Sequence, residues 1–449
     1  MHDVDVRYIV MFTSNRLGYG FVTAALVFLL YTLTTSLHSV PRDSADKRLQ
    51  EWLDIVSAPV TGPDEFPEKF TAESSEPQPH IPVHNFPIGP GHRPASYEAF
   101  LQGKPIFQDE GNTAEGPLFR EVVFDFQKKG DWPQPSVDLT QFKTRRPHNL
   151  QAQRPAETFA TFLCTPNTSI HDPYFAATQQ LAWRFLWSPR TASKRYPFTV
   201  FVAPFIAQEH RDILAGAGAN VVELDLVEWS PTVEVYTRWR DIFSKLNMWA
   251  HTNFSRIAFL DSDAFPLKNI DDIFDLAKPQ RCVPAKLGAQ DSLHQVEMCD
   301  YTFAGVELLD AKVNVGVMVI KPNIWMHERL LRDMKTPDLF NHAEAEQGFL
   351  NWAFQKGGPF PAKMLPREYN GFFPRPEDEH VLKVVHEKLW AVNPQAPPWI
   401  APLWANGWKE MVEFYDSPEF KRARERDDAG AVADEPWWKK LRLSGKHEG

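Results

Sequence analysis

Cysteine is scarce in this sequence: the 449 residues include three, Cys164, Cys282 and Cys299, with no C-x-x-C pair among them. That excludes a disulfide-built scaffold and a cysteine zinc site, both of which need denser, paired thiols. Cys282 and Cys299 bracket one loop-rich stretch and are able to pair in an oxidising compartment; three buried thiols is the alternative, with Cys164 the odd one left. Excess positive charge is lacking too. A formal net charge of −10 and a pI near 5.9 argue against nucleic acid or an anionic membrane surface as partner, since both select basic faces. An enzyme of anionic donors can still be acidic where a metal supplies local positive charge. There is no internal repeat. Nor does a glycine-rich phosphate loop follow the first expected strand, where the chain reads LCTPNTSI over residues 163–170. A nucleotidyl- or phosphotransferase would be expected to carry one.

Long apolar runs are nearly absent, with one exception. Residues 17–37, LGYGFVTAALVFLLYTLTTSL, carry no charge and have the roughly 20 residues that a bilayer-spanning helix needs. Arg7 and Arg16 precede the run, but Asp3, Asp5, Arg42, Lys47 and Arg48 dilute the charge asymmetry that would orient it. A cleaved signal peptide is the other reading. No small-x-small cleavage site follows, and the run is longer than a usual signal core. The expectation is a type II signal-anchor, with residues 1–16 cytoplasmic and the body lumenal. Residues 38–155, with Pro77, Pro79, Pro82, Pro87, Pro90 and Pro94 close together, read as an extended stem. Its later part, with Phe119, Val122, Val123, Phe124 and Phe126, has the apolar content to pack on the body.

From residue 156 to about 394 the pattern becomes apolar runs alternating with helical periodicity, the mark of an α/β sheet domain. Strands are expected at residues 158–164, 198–203, 220–226, 256–260 and 313–320, and helices at 172–185, 241–251 and 344–355. A further helix is expected to start at Pro322. The 241–251 helix would bury Ile242, Leu246, Trp249 and Ala250 on one face. Residues 395–449 read as an irregular C-terminal extension, and 421–425 as a solvated tail.

The short strand at 256–260 runs directly into Asp261-Ser262-Asp263. On an extended backbone alternate side chains share a face, so Asp261 and Asp263 would converge on one cation at the carboxyl end of a strand, where open α/β sheets bind ligands. Two carboxylates with open positions suit Mg²⁺ or Mn²⁺, which also take phosphate oxygens. A solvated turn with two acids is the plainer alternative.

KLNMWAHTNFSRIAFLDSDAFPLKNIDDIFDL (245–276), VNVGVMVIKPN (313–323), EQGFLNWAF (346–354), LPREYNG (365–371) and VVHEKLW (384–390) resemble, in order, the motifs of glycosyltransferase family 8, which includes glycogenin and galactinol synthase. The resemblance covers about half the chain. It implies a GT-A-like (Rossmann-like) fold, a UDP-sugar donor, Mn²⁺ or Mg²⁺, and a retaining transfer. It also implies that Asp261, Asp263 and His386 bind the metal, that Lys245 contacts the donor, that Glu346, Gln347 and Asn314 face the sugar, and that Gly316 admits it closely. Ser262 lies between the acids, Tyr174 would stack on the base, and Lys388 would reach the diphosphate. Two departures stand out: the family's usual Asp is Glu346 here, and the Gly and Pro that usually follow the late histidine are missing after His386. An inactive relative that binds a donor or partner is therefore the second reading. The architecture is similar to that of membrane-anchored fungal Golgi members, which makes GlcNAc the first expected donor sugar, then glucose or galactose, with a glycan or glycoconjugate acceptor. Asn167-Thr168-Ser169 and Asn253-Phe254-Ser255 are glycosylation triplets that a lumenal body could use.

Overall fold

The structure is a computed structural model. It describes the strand residues 105–107 and 122–124, and residues 132–150, 156–227, 241–308, 312–336, 339–340, 344–391, 393 and 396–427. All belong to one compact unit, residues 81–449. The expected membrane span at 17–37 lies outside them; among the described residues no helix is long and apolar enough to cross a membrane.

Strands β1 (Pro105–Phe107) and β2 (Val122–Phe124) form one separate antiparallel pair, and β8 (Gln280–Arg281) and β9 (Asp300–Tyr301) another. The body is a seven-stranded mixed sheet. Its strands are β3 (Ala156–Leu163), β4 (Phe198–Val202), β5 (Asn220–Glu223), β6 (Phe254–Leu260), β10 (Phe303–Glu307), β11 (Val313–Ile320) and β12 (Lys363–Leu365). Their spatial order is β12-β10-β11-β6-β3-β4-β5. Strands β6, β3, β4 and β5 run parallel, whereas β11 is antiparallel to β6 and to β10. These are nearly continuous apolar strands because helices cover both faces of such a sheet. From β3 the chain winds outward through β4 and β5, then returns to lay β6 on the other side of β3, creating a switch point between β3 and β6.

Helix α1 (Pro173–Leu186) starts where the Asp172 side chain accepts the Phe175 N–H at 2.9 Å, with proline in its first turn. Helix α2 (Gln208–Gly216) links β4 to β5. Helix α3 (Ile324–Asp333) begins after Asn323, whose Oδ1 accepts from Met326 N–H at 3.0 Å. Pro322 thus lies just outside the helix it was expected to start. Helix α4 (Ala345–Ala353) follows. Residues 241–251 differ from expectation. They form a 3₁₀ helix, Asp241–Ala250, whose three-residue turn buries Phe243, Leu246 and Trp249 while Ile242 and Ala250 stay partly exposed.

The ends of the body also differ. Residues 403–427 are two helices, α5 (Leu403–Tyr415) and α6 (Pro418–Asp427), not an irregular extension. Trp132 and Phe142 belong to the core, with Trp132 stacked on Trp408 at 4.4 Å, so the packed body begins upstream of residue 155. Arg424, in the segment expected to be solvated, is fully buried. It donates to the carbonyls of Arg146 and Gly216 at 2.8 and 3.1 Å and pairs with Asp427. A charged sequence hides such a residue, because what buries it is a cage of backbone oxygens contributed from far away. Cys282 and Cys299 are disulfide-bonded and Cys164 is free.

Candidate functional site

Strand β6 ends in four buried apolar residues, so the first polar residue after it, Asp261, emerges at the carboxyl edge of the sheet beside the switch point. Its N–H bonds the Gly316 carbonyl of β11 at 2.7 Å. The acids do not sit on an extended backbone as expected. Ala264 N–H bonds the Asp261 carbonyl at 2.9 Å, closing a turn that carries Asp261, Ser262 and Asp263. Beyond it, β7 (Ala264–Pro266) pairs antiparallel with β14 (Val384–His386), with Ala264 opposite His386, and Glu387 N–H bonds the Asp263 carbonyl at 3.0 Å. The turn and this register, rather than strand alternation, bring the acids and the histidine together. Asp261, Asp263 and His386, all half-buried, present one ligand atom each within 4.8 Å of one another.

Two carboxylates and an imidazole, all half-buried, form a donor set that fits a divalent cation. In the metal-free chain His386 Nε2 lies 3.2 Å from Asp263 Oδ1. Burial would raise the Asp263 carboxyl, but His386 and then Lys388 outweigh it and hold it at about 2. Burial likewise opposes the charge on His386, yet the facing Asp263 raises its pKa above the ordinary value.

Lys245, expected against the donor, is 4% exposed and donates to Asp261 Oδ1 at 2.7 Å and Glu346 Oε1 at 2.8 Å. Burial acts to lower its pKa; the two carboxylates overcome this and raise it. Glu346 follows Ala345, which has a φ of +49°, a backbone strain that marks functional segments. Gln347 Oε1 accepts from Val315 N–H at 3.3 Å, so in this state it braces β11.

Gly316 is required here by packing. A Cβ on it would stand 2.1 Å from His386 Cε1. Asn314 Oδ1 accepts from Gly316 N–H at 3.0 Å and from Asn370 Nδ2 at 2.9 Å, while Asn370 Oδ1 lies 3.0 Å from His386 Nδ1. Asn370, fully buried before strand β13 (Gly371–Phe372), is a site residue that the sequence reading missed. The LPREYNG match marks its segment, but nothing in that string says which side chain turns inward. Tyr174, at the start of α1, meets Trp390 edge-on at 5.2 Å, and the Lys388 ammonium lies 5.8 Å from its ring. Lys388 and Trp390 follow His386 closely in sequence, and Tyr174 joins them across the sheet edge. Ser262 is half-buried in the turn. A separate cavity of about 500 Å³, lined by Arg184, Lys268, Trp399 and Glu410 among others, contains none of these residues.

No protein-family model matches the chain. Two uncharacterised proteins of Schizosaccharomyces pombe are 28% and 27% identical to it over 299 and 300 residues, each match covering 58% of this chain and 79% and 80% of theirs. Galactinol synthase 7 of Arabidopsis thaliana is 30% identical over 184 residues, and galactinol synthase 1 of Solanum lycopersicum 29% over 223. The two matches cover 37% and 46% of this chain but only 54% and 65% of those enzymes. Among solved structures, the glycosyltransferase GlyE of Streptococcus pneumoniae TIGR4 (13% identical, 59% of this chain, 64% of that chain) aligns with a TM-score of 0.39. Mouse xyloside xylosyltransferase 1 (14%, 54% and 100%) aligns at 0.35, and nothing is carried over from either structure. With the motifs in order and galactinol synthases among the relatives, the chain resembles glycosyltransferase family 8 and is a glycosyltransferase.

Proposed function

We propose that this chain is a metal-dependent, retaining transferase of GT-A type, moving a sugar from a UDP-sugar to a glycan or other acceptor in the lumen of the secretory pathway. One observation carries the reading: Asp261, Asp263 and His386 present ligand atoms within 4.8 Å at the carboxyl end of β6. The imidazole favours Mn²⁺ over Mg²⁺. A bound divalent cation supplies Lewis-acid stabilisation to the charge that develops on a departing diphosphate.

The chain's own residues supply the rest. Asp261 and Asp263 hold the cation, and His386 completes the set. Lys245 keeps a positive charge beside Asp261 and is placed to pass from its carboxylate partners to a donor sugar. Glu346, Gln347 and Asn314 line the sugar's side. Tyr174 offers a ring to the base, and Lys388 a charge to the diphosphate. GlcNAc is the first donor sugar, then glucose or galactose; the galactinol synthases among the relatives favour galactose as the runner-up. The Cys282–Cys299 disulfide supports an oxidising compartment and hence the type II Golgi topology with a signal-anchor at residues 17–37.

The test is Mn²⁺-dependent UDP binding by calorimetry and UDP-sugar hydrolysis by the full chain, with Asp261→Asn/Asp263→Asn as control. Removing one such electrostatic contact typically costs about 10²–10³ in rate. A doubly substituted chain that folds and still binds UDP in a Mn²⁺-dependent way sinks the mechanism. Wild type that binds UDP with metal but turns over no donor sinks the catalytic part alone.

A further inference from the structure

His386 is useful to a cation only with a lone pair on Nε2, and the fold contains a device that settles this from the far side of the ring. It starts at a backbone group whose polarity is fixed. Gly316 N–H is a donor, so the atom of Asn314 that faces it at 3.0 Å is Oδ1. The same Oδ1 faces the Asn370 amide at 2.9 Å, so Asn370 turns its Nδ2 to that contact and its Oδ1 to His386 Nδ1, 3.0 Å away. An acceptor there requires a proton on Nδ1. Asn370 is fully buried and cannot flip without setting its oxygen against Asn314 Oδ1.

The ring's other side is softer. Asp263 Oδ1 lies 3.2 Å from Nε2 on a side chain 19% exposed, and it is one of the groups that would turn to a cation, whereas the Asn370 contact is fully buried. The ring is also held in place by Gly316, where a Cβ would clash with it.

We infer that Asn370 is a positioning residue: through the chain Gly316 N–H, Asn314, Asn370, it fixes His386 in the Nδ1–H tautomer and directs the bare Nε2 into the cation position. The inference rests on the metal reading above, although the tautomer itself can be read without metal. Outer contacts of this kind are worth about 10–100-fold in metal affinity.

The experiment uses the full chain with ¹⁵N-labelled histidine, the His386 signal being assigned by its loss in His386→Gln. In the metal-free wild type the neutral ring should show its proton on Nδ1. In Asn370→Ala that preference should vanish, and the Kd for Mn²⁺ by calorimetry should rise about 10–100-fold. Asn314→Leu, which breaks the chain one step further back, should also weaken Mn²⁺. A neutral wild-type ring protonated on Nε2 overturns the inference, as does a folded Asn370→Ala chain with wild-type Mn²⁺ affinity. Should Asn370→Ala fail to fold, Asn314→Leu decides: a wild-type Mn²⁺ affinity overturns it and a weakened one supports it. If wild type binds no Mn²⁺, the metal reading falls while the tautomer measurement still judges the relay.

Discussion

Gly316 and His386 are in such close contact that the missing glycine side chain is part of the histidine's site: a Cβ would meet Cε1 at 2.1 Å and Nδ1 at 2.8 Å. Gly316→Ala must therefore displace a ring whose inner edge is tied to Asn370. We expect a loss of about 1–3 kcal/mol in metal-free stability from overpacking. The Kd for Mn²⁺ should weaken by about tenfold or more. Calorimetry of the full chain checks this, and unchanged Mn²⁺ affinity would show that the contact does not matter to the cation.

Lys245 neutralises two carboxylates, and its side chain and that of Glu346 are only 6% and 8% exposed. Lys245→Met leaves Glu346 buried without a partner, which should cost about 3–5 kcal/mol in denaturant unfolding without metal. Adding Glu346→Gln removes the orphaned charge and should recover most of that loss. A single variant within about 0.5 kcal/mol of wild type, the range of inert surface changes, would mean that the ion pair contributes nothing to the fold.

The cysteines give a count. Burial pushes the Cys164 thiol up to about 12, so at neutral pH almost no thiolate is available to react. A thiol reagent should label nothing in the native chain, one cysteine after unfolding without reductant, and three after unfolding with it. Three labels without reductant would mean that Cys282 and Cys299 are not bonded, and the oxidising-compartment argument would lose its support.

Arg424→Leu removes the donor that several backbone carbonyls share and leaves Asp427 without its ion-pair partner within the helix. Orphaned buried acceptors cost about 1–3 kcal/mol each. The midpoint of urea unfolding should fall accordingly, with Mn²⁺ affinity unchanged in the chain that remains folded. A midpoint equal to wild type would show that α6 is only loosely attached.

Much of the sheet was legible, and the reason is local. β11 and β6 are apolar runs whose length and flanking residues decide their state, and Asp261 follows from the end of such a run. The motifs also pointed to Lys245, Glu346 and His386, which the fold gathers around Asp261, though the bond between the first two spans 101 positions and is silent in either segment alone. What was not legible depends on distant packing. The 3₁₀ geometry of Asp241–Ala250 overrides a pattern that reads equally well at 3.6 residues per turn. The inward turn of Asn370 depends on Asn314, 56 positions away. The C-terminal helices misled for the opposite reason: their sequence is charged like a solvated tail, and only the carbonyls around Arg424 explain the burial.

Arg424 also sets a schedule for the chain's synthesis. It bonds a carbonyl 278 residues upstream, at Arg146. At the usual pace of about 5–20 residues per second, the segment around Phe142 and Arg146 would wait about 15–60 s for α6 to emerge. Until then the carbonyls of Arg146 and Gly216 lack the guanidinium that donates to both in the folded chain.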